Sequence, residues 1–405
     1  MKTILIVIIC KIAGAILRLL GKGSAFPGKI ALKLDKNILK KLAKNYKVIL
    51  VTGTNGKTTT TGLIYNILKT SGRNVITNDT GANMKSGMAA LLIKNYKFFK
   101  HMGECFAVIE MDEAYARKIT EDLSPEVFVV TNIFSDQTDR YGDVTITRDL
   151  IFEAIENSPS STVILNGDNE VVSDMELAHK KIYFGVAENT PDNVELDFKV
   201  EEIKETFANS SLAVINGENI KINQGGLYNV YNAVCAFACG SELGIELEDI
   251  KNGIENYEKK FGRQEIIDIN GREVEMILVK NPVGFNEVIN KIALDNSNID
   301  LGFLLNDNTG DGTDISWIQD VEFEKFKDME YTNFLIGGTR LYDLGVRLKE
   351  AGLEEETFVF CETYEDVLEG IKNTGTNKLY LLVTYSAMMG FRKTLYKNRY
   401  VKNIW

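Results

Sequence analysis

The feature that most constrains this chain is the junction where the apolar run Lys47-Val48-Ile49-Leu50-Val51-Thr52 meets Gly53-Thr54-Asn55-Gly56-Lys57-Thr58-Thr59-Thr60. A β-branched run that stops at a glycine-containing loop and resumes as a helix reads as a strand feeding a phosphate loop. Gly53 and Gly56 let the backbone curl with its N–H groups inward, and a helix starting near Lys57 adds the positive end of its dipole. Lys57 can neutralise β/γ-phosphate oxygens, and the Thr58 hydroxyl falls where such loops place a Mg²⁺ ligand. Only Thr54 and Asn55 separate Gly53 from Gly56-Lys57, two residues where the common motif has four.

The rest of the chain fits that start. Between residues 47 and 185, short β-branched runs alternate with helical stretches, the signature of a parallel sheet with crossover helices. Strands are expected at 47–52, 74–78, 105–111, 126–132 and 162–165, and helices at 57–70, 85–99 and 147–157. The polar segment 188–223 alternates with period 2 and predicts hairpins, followed by a helix over 228–244. A second series predicts strands at 273–280, 300–306, 331–337, 356–360 and 378–384, with helices at 284–294, 339–350 and 363–373. Lys259-Lys260-Phe261-Gly262 reads as the hinge. The expected fold is therefore α/β: an N-terminal helical segment over 1–45, a P-loop domain over 46–260 with a parallel sheet, and a smaller α/β domain over 261–405.

With 405 residues and 44% apolar content, the chain can bury a full core. Its 46 basic and 57 acidic residues leave a net charge of −11, which argues against a nucleic-acid partner. Cys10, Cys105, Cys235, Cys239 and Cys361 form no C-x-x-C pair and fit reduced thiols in a cytoplasmic protein. The N-terminal run Ile4 to Ile9 is too short to cross about 30 Å of hydrocarbon, and Lys11 and Arg18 interrupt its continuation. A helix packed on the protein is expected, with a helix lying on the membrane surface or against a partner as the open alternative.

Polar residues also gather where open α/β sheets bind ligands, at the C-terminal ends of strands. Glu110 closes one strand and can hold Mg²⁺ directly or through water, the competing reading being a solvated loop acid. Thr131-Asn132-Ile133 closes another.

With these segments in view, the chain resembles the Mur ligase superfamily. The resemblance is carried by residues 51–60, the Glu110 strand, Thr131-Asn132-Ile133 and Gly226-Leu227-Tyr228-Asn229-Val230-Tyr231-Asn232-Ala233. Finer features are similar to the MurT-type branch, the ligase subunit of lipid II isoglutaminyl synthases. These are Phe26-Pro27-Gly28-Lys29-Ile30-Ala31, Thr80-Gly81-Ala82-Asn83-Met84, Asp136-Gln137-Thr138-Asp139-Arg140-Tyr141-Gly142, Lys280-Asn281-Pro282-Val283-Gly284-Phe285-Asn286-Glu287 and Asp311-Gly312-Thr313-Asp314-Ile315-Ser316-Trp317-Ile318.

The resemblance implies ATP and Mg²⁺ as cofactors. It assigns Gly53, Thr54, Asn55, Gly56, Lys57, Thr58 and Thr59 to the triphosphate, Thr58 and Glu110 to Mg²⁺, and Asn229 with Asn232 to the adenine. Simple helix N-capping is the competitor for those two asparagines. Arg263 matches an arginine that reaches the phosphates on domain closure, against an ordinary hinge salt bridge. The implied reaction activates a carboxylate as an acyl phosphate for attack by ammonia. The implied product is the D-isoglutamine amide of lipid II.

Ammonia needs a source, and His101 and His179 stand beside no plausible nucleophilic cysteine. The resemblance supplies a separate glutaminase subunit of the GatD type, whose triad an aspartate of this chain completes. Asp314 is the first choice, with Asp311 and Asp320 as alternatives and turn or cap duty as the competing reading. Lipid II as substrate places the chain in the cytoplasm, with possible contact at the inner face of the cell membrane.

Two departures matter. Relatives often insert a four-cysteine zinc ribbon near 188–223, which here contains no cysteine, so no zinc is expected. Amino-acid-adding Mur ligases carry a metal-binding histidine where this chain has Gln137. They also have an aspartate-tyrosine-alanine-histidine-asparagine-proline run where it has Val279-Lys280-Asn281-Pro282. Both favour amidation and leave a second metal open. The alternative function is a stand-alone amino-acid-adding ligase acting on a nucleotide-linked or folate-like precursor. A nucleotide-dependent scaffold is the non-enzymatic one.

Overall fold

Three helices precede the first strand: α1 (Lys2–Leu19), α2 (Phe26–Leu34) and α3 (Ile38–Ala43). The structure is a computed structural model and describes residues 2–19, 25–78, 84–98, 104–134, 144–207, 209–258, 264–373 and 376–402. Arg263, the hinge 259–262, Thr80 to Asn83, the loop from Ser135 to Gly142 with Gln137, and His101 lie outside the described residues.

The first sheet is built from β1 (Lys47–Thr52), β2 (Asn74–Thr77), β3 (Cys105–Glu110), β4 (Val127–Val130), β5 (Thr162–Asn166), β6 (Lys181–Val186), β7 (Phe198–Thr206), β8 (Ser211–Ile215) and β9 (Glu218–Ile222). Its spatial order is β2-β3-β1-β4-β5-β6-β7-β8-β9. Pairing is parallel as far as β7 and antiparallel from β7 to β9.

The crossover helices are α4 (Lys57–Thr70), α5 (Lys85–Asn95), α6 (Glu113–Leu123) and α7 (Val144–Glu156), and the short α8 (Glu170–Ser173) follows β5. Two more, α9 (Leu227–Glu242) and α10 (Leu247–Glu255), close this unit.

Strand β1 is buried along nearly its whole length because helices cover both faces of the sheet. Ile49 and Val51 face α4, α9 and α10. Val48 and Leu50 face the layer that includes Ile6, Val7 and Cys10 of α1 with α3, α5, α6 and α7. Burying Ile6 and Val7 contributes about 1.5–3 kcal/mol each, enough to hold one face of α1 on the protein. Cys235 and Cys239, one turn apart on α9, belong to the first layer, and burial pushes both thiols well above their usual range.

A second sheet contains β10 (Gln264–Ile269), β11 (Arg272–Leu278), β12 (Ile299–Leu304), β13 (Tyr331–Gly337), β14 (Phe358–Cys361) and β15 (Lys378–Val383). Its order is β10-β11-β15-β12-β13-β14. Only the β10–β11 pair is antiparallel. Helices α11 (Pro282–Ile292), α12 (Leu341–Glu350), α13 (Tyr364–Asn373) and α14 (Tyr385–Lys397) cover it.

The structure departs from the sequence expectations in a few places. The helix expected over 85–99 stops at Asn95, because the Tyr96 carbonyl accepts from Lys11 Nζ at 2.7 Å and its ring packs edge-on against Phe98. Strands β6 and β10 and helices α6, α8, α10 and α14 were not expected. Charged residues dilute the apolar period in β10, as in Gln264-Glu265-Ile266-Ile267-Asp268-Ile269, and only pairing with β11 fixes it as a strand.

Candidate active site

The loop after β1 is shaped by two glycines in left-handed or related conformations, Gly53 at φ +124° and Gly56 at φ +82°. Neither has room for a side chain. A Cβ on Gly53 would lie 2.7 Å from the Asn132 carbonyl oxygen, and one on Gly56 would strike the Asn232 side chain. The segment after β4 fixes the loop from the other side. Thr54 N donates to Asn132 O at 2.9 Å, and Asn55 N donates to Asn132 Oδ1 at 2.8 Å. Thr131 Oγ1 donates to Asn55 O at 2.7 Å. The polar run Thr131-Asn132 is thus the buttress of the phosphate loop.

Register brings Glu110 to the same edge, since β3 lies beside β1 with Glu110 opposite Val51. Asn78 clamps the Glu110 backbone, donating to its carbonyl at 2.8 Å and accepting from its N–H at 2.9 Å. The side chain then accepts a hydrogen bond from Thr58 Oγ1 at 2.6 Å. Neighbouring ligands of an octahedral Mg²⁺ lie about 3 Å apart given bonds of about 2.1 Å. These two oxygens therefore fit adjacent corners of one Mg²⁺ shell with little movement. Among the described residues no three His, Cys, Asp or Glu side chains converge as a metal cage. A Mg²⁺ held here would complete its shell with phosphate oxygens and water.

Lys57 is placed differently from a lysine reaching straight into the cleft. Its ammonium donates to Glu113 Oε1 at 2.8 Å, to Thr54 O at 3.3 Å and to Gly53 O. Burial works against its charge, but Glu113, with Glu110 and Asp112 beyond, outweighs that and raises Lys57 above its ordinary value. It stays an ammonium throughout the neutral range. Glu113, buried at the first turn of α6, is the acid that holds Lys57, a pairing that the sequence reading passed over. The sequence reading expected no helix over 113–123, and nothing local marks this acid as the partner of a lysine 56 positions away.

Beside the loop lies a cavity of about 320 Å³ whose walls come from both sheets. The first unit contributes Asn55, Thr58, Thr59, Asn229 and Asn232, and the second contributes Val283, Gly284 and Glu287. Asn55 Nδ2 is buried without a partner among the described residues, a donor of the kind a phosphate oxygen would satisfy. Asn281 Nδ2 donates to Asn55 Oδ1 at 3.2 Å, while its own Oδ1 caps α11 by accepting from Gly284 N at 2.8 Å. The N-termini of α4 and α11 therefore both end at this cleft, which favours an anion.

Asn229 and Asn232 are buried on one face of α9, their side chains 3.4 Å apart. Asn229 Nδ2 donates to Gly225 O at 2.7 Å, and Asn232 Oδ1 accepts from Thr60 Oγ1 at 3.1 Å. Neither caps α9, whose N-cap is Gly226.

Deeper in the cleft, Asp168 accepts from Tyr231 Oη at 2.6 Å, from Thr190 Oγ1 at 2.6 Å and from Val186 N at 2.7 Å. Burial, then the bond to Asp168, keeps the Tyr231 phenol protonated. Asp168 lies just past β5, so the strand-end rule could have found it. Burial also raises the Glu287 carboxyl, with Lys325 opposing and Glu322 reinforcing the shift.

The three aspartates of the second unit differ in setting. Asp311 is buried and accepts from Ser386 N at 2.6 Å, tying its loop to the start of α14. Asp314 is exposed and accepts from Ser316 N at 2.8 Å, at the start of a 3₁₀ turn over Ser316–Asp320. Asp320 is exposed at the end of that turn, its carbonyl 3.4 Å from Asn286 Nδ2.

Known families match both units. The Mur ligase middle domain matches residues 51–240, and the MurT ligase C-terminal domain matches residues 278–388. The lipid II isoglutaminyl synthase (glutamine-hydrolyzing) subunit MurT of Streptococcus pneumoniae is 37% identical over 430 residues, covering 96% of this chain and 95% of the relative. The same subunit from Staphylococcus aureus strain COL is 32% identical, covering 88% of this chain and 90% of that one. MurF from Acinetobacter baumannii shares the fold with a TM-score of 0.71 at 18% identity, covering 91% of this chain and 80% of that one. A MurF ligase from Thermotoga maritima in complex with ADP superposes with a TM-score of 0.68 at 15% identity, over 91% of this chain and 85% of that one.

Proposed function

The chain belongs to the MurT family of Mur ligases and is an ATP-dependent carbon–nitrogen ligase; from that membership we propose that it amidates the D-glutamate α-carboxylate of the lipid II stem peptide. The product is D-isoglutamine, formed through an acyl phosphate. The observation that carries this reading is the phosphate loop at the cleft between the two sheets: Thr58 and Asn55 line that cleft, Asn55 Nδ2 has no partner among the described residues, and Glu110 and Lys57 are held to the same loop.

A carboxylate does not react with amines at neutral pH, so one of its oxygens must become a leaving group. ATP supplies the phosphoryl group, and the protein contributes positioning and charge compensation. In this reading the loop amides and Asn55 bind the phosphates. Lys57 exchanges the carbonyls of Gly53 and Thr54 for phosphate oxygens, with Glu113 keeping the ammonium charged and at the loop. Thr58 and Glu110 hold Mg²⁺, which when bound offsets phosphate charge. Asn229 and Asn232 bound the adenine side. Arg263 enters from the start of the second unit as a further cation on closure. We take 1–45, 46–260 and 261–405 as the three working parts.

Ammonia comes from glutamine through a glutaminase partner of the GatD type, with Asp314 completing its triad by orienting the imidazole. The exposure of Asp314 supports that choice over Asp311, whose carboxylate is engaged with Ser386. The reaction then belongs in the cytoplasm, at the inner face of the membrane that carries lipid II.

The test is a reconstitution. The isolated chain should amidate lipid II with ATP, Mg²⁺ and ammonium, and should use glutamine only with the partner present. Turnover of free amino acids by the isolated chain would instead establish the amino-acid-adding alternative. For Asp314, an Asp314→Asn pair that hydrolyses glutamine at the parental rate rejects the triad role.

A further inference from the structure

Helix α1 is apolar on both faces. Ile6, Val7 and Cys10 are sealed against the protein, yet Ile4, Leu5, Ile8, Ile9, Ile12 and Ile16 on the opposite side are 40–59% exposed. At 100° per residue those six occupy one continuous sector that contains no charge. A surface helix of a soluble domain ordinarily turns polar residues outward, so this outer face implies a covering surface.

The charge distribution indicates what covers it. The first 44 residues hold ten basic side chains and a single acid, Asp35, in a chain whose total is 46 basic to 57 acidic. The remainder is correspondingly acidic. Helix α2 packs directly on α1, with Gly14 against the Pro27 ring. Lys29, Lys33, Lys36, Lys40 and Lys44 are exposed along α2, α3 and the turns beside them. Asp35 is already engaged by Lys41 at 2.5 Å. Phe26 and Leu34 add exposed apolar area at the two ends of α2.

We propose that the outer face of α1, flanked by the lysines of α2 and α3, docks on an anionic bilayer surface. An exposed apolar strip within a strongly basic segment matches the acyl boundary and headgroups of such a membrane. A second copy docked through the same face would bring two basic clusters together. Among the described residues no helix is long and apolar enough to cross a membrane. The inner face of α1 is held by the protein core, so the helix lies in the interface plane, between protein and lipid. The proposal deepens the membrane placement given above and rests on this surface, apart from the amidation chemistry.

Vesicle flotation of the full chain, alone and with its glutaminase partner, tests it. The probe is phosphatidylglycerol and phosphatidylcholine vesicles at low and high salt. The chain should float with the anionic vesicles, and release by salt should follow. Replacing Lys33, Lys36 and Lys40 by Gln should weaken binding about fivefold per residue. The Ile8→Glu/Ile12→Glu variant should lose about tenfold or more, while turning over a soluble muropeptide at the parental rate. Should that variant fail to fold, Ile8→Ser/Ile12→Ser with unchanged circular dichroism serves in its place. No flotation of the parental chain overturns the proposal, as does flotation indifferent to both sets of changes. Reversible self-association lost in the isoleucine variant, with no vesicle binding, overturns it in favour of a second copy. Absence of amidation by the parental chain with its flotation intact would instead reject the amidation reading and leave this surface standing.

Discussion

Lys57 and Glu113 form a largely buried ion pair at the phosphate loop, and the proposed mechanism turns on it. Lys57→Ala removes the cation of the phosphate loop and should lower amidation by about 10²–10³-fold without altering the fold, read from turnover and circular dichroism. Amidation at the parental rate would remove Lys57 from the mechanism. Gly56→Ala tests the loop geometry itself. A left-handed alanine costs about 1–2 kcal/mol, and its methyl would also displace Asn232. Chemical denaturation should show at least that loss, together with a raised KM for ATP. The glycines, Lys57 and Thr58 are legible in the sequence because backbone and ligand demands leave few other residue types possible. Glu113 and Asp168 are less legible because each looks like an ordinary acid until Lys57 and Tyr231 are seen beside it.

Strands whose both faces are buried announce themselves as apolar runs, which is why β1, β3 and β4 can be read from sequence while β6 and β10 cannot. Lys181-Ile182-Tyr183-Phe184 and Gln264-Glu265-Ile266-Ile267 carry mixed patterns that pairing partners resolve. Helix α14 begins at the end of β15, where Asp311 arrives from a loop 75 positions earlier, a contact no local pattern contains. The same sheet is tied by Asp295, in the turn between α11 and β12. Burial opposes its ionisation, but Lys378, Ser297 and Tyr380 outweigh burial and hold its carboxyl below the ordinary range. Its stabilisation is fully present above the usual carboxylate pKa and fades as the pH falls toward the lower folded value. Asp295→Asn should therefore cost about 1.5–3 kcal/mol at neutral pH and progressively less under strongly acid conditions. An equal penalty at both pH extremes, measured by denaturant titration, would show that the loss is one of packing.

At the scale of the molecule, the binding cleft belongs to neither sheet alone. Asn281 of the second unit bonds Asn55 of the first, and the helix it caps points at the loop, so nucleotide should stabilise both units together. At about a hundred times its dissociation constant, nucleotide with Mg²⁺ adds about 2.7 kcal/mol to the state that binds it. Thermal unfolding should rise throughout, and an increase confined to one unit would place the nucleotide elsewhere. The arrangement of two sheets was legible from the alternation of strand and helix runs, and the resemblance implied closure between them, but the contact that joins them at the cleft was not, because it depends on side chains 226 positions apart. The central claim is that a carboxylate oxygen is phosphorylated before nitrogen arrives. Lipid II labelled with oxygen-18 in the D-glutamate α-carboxylate, amidated in the presence of ATP, Mg²⁺ and ammonium, tests this by mass spectrometry of the released phosphate. The account predicts ADP and a phosphate carrying one labelled oxygen for each amide formed; unlabelled phosphate, or AMP with pyrophosphate, would contradict it.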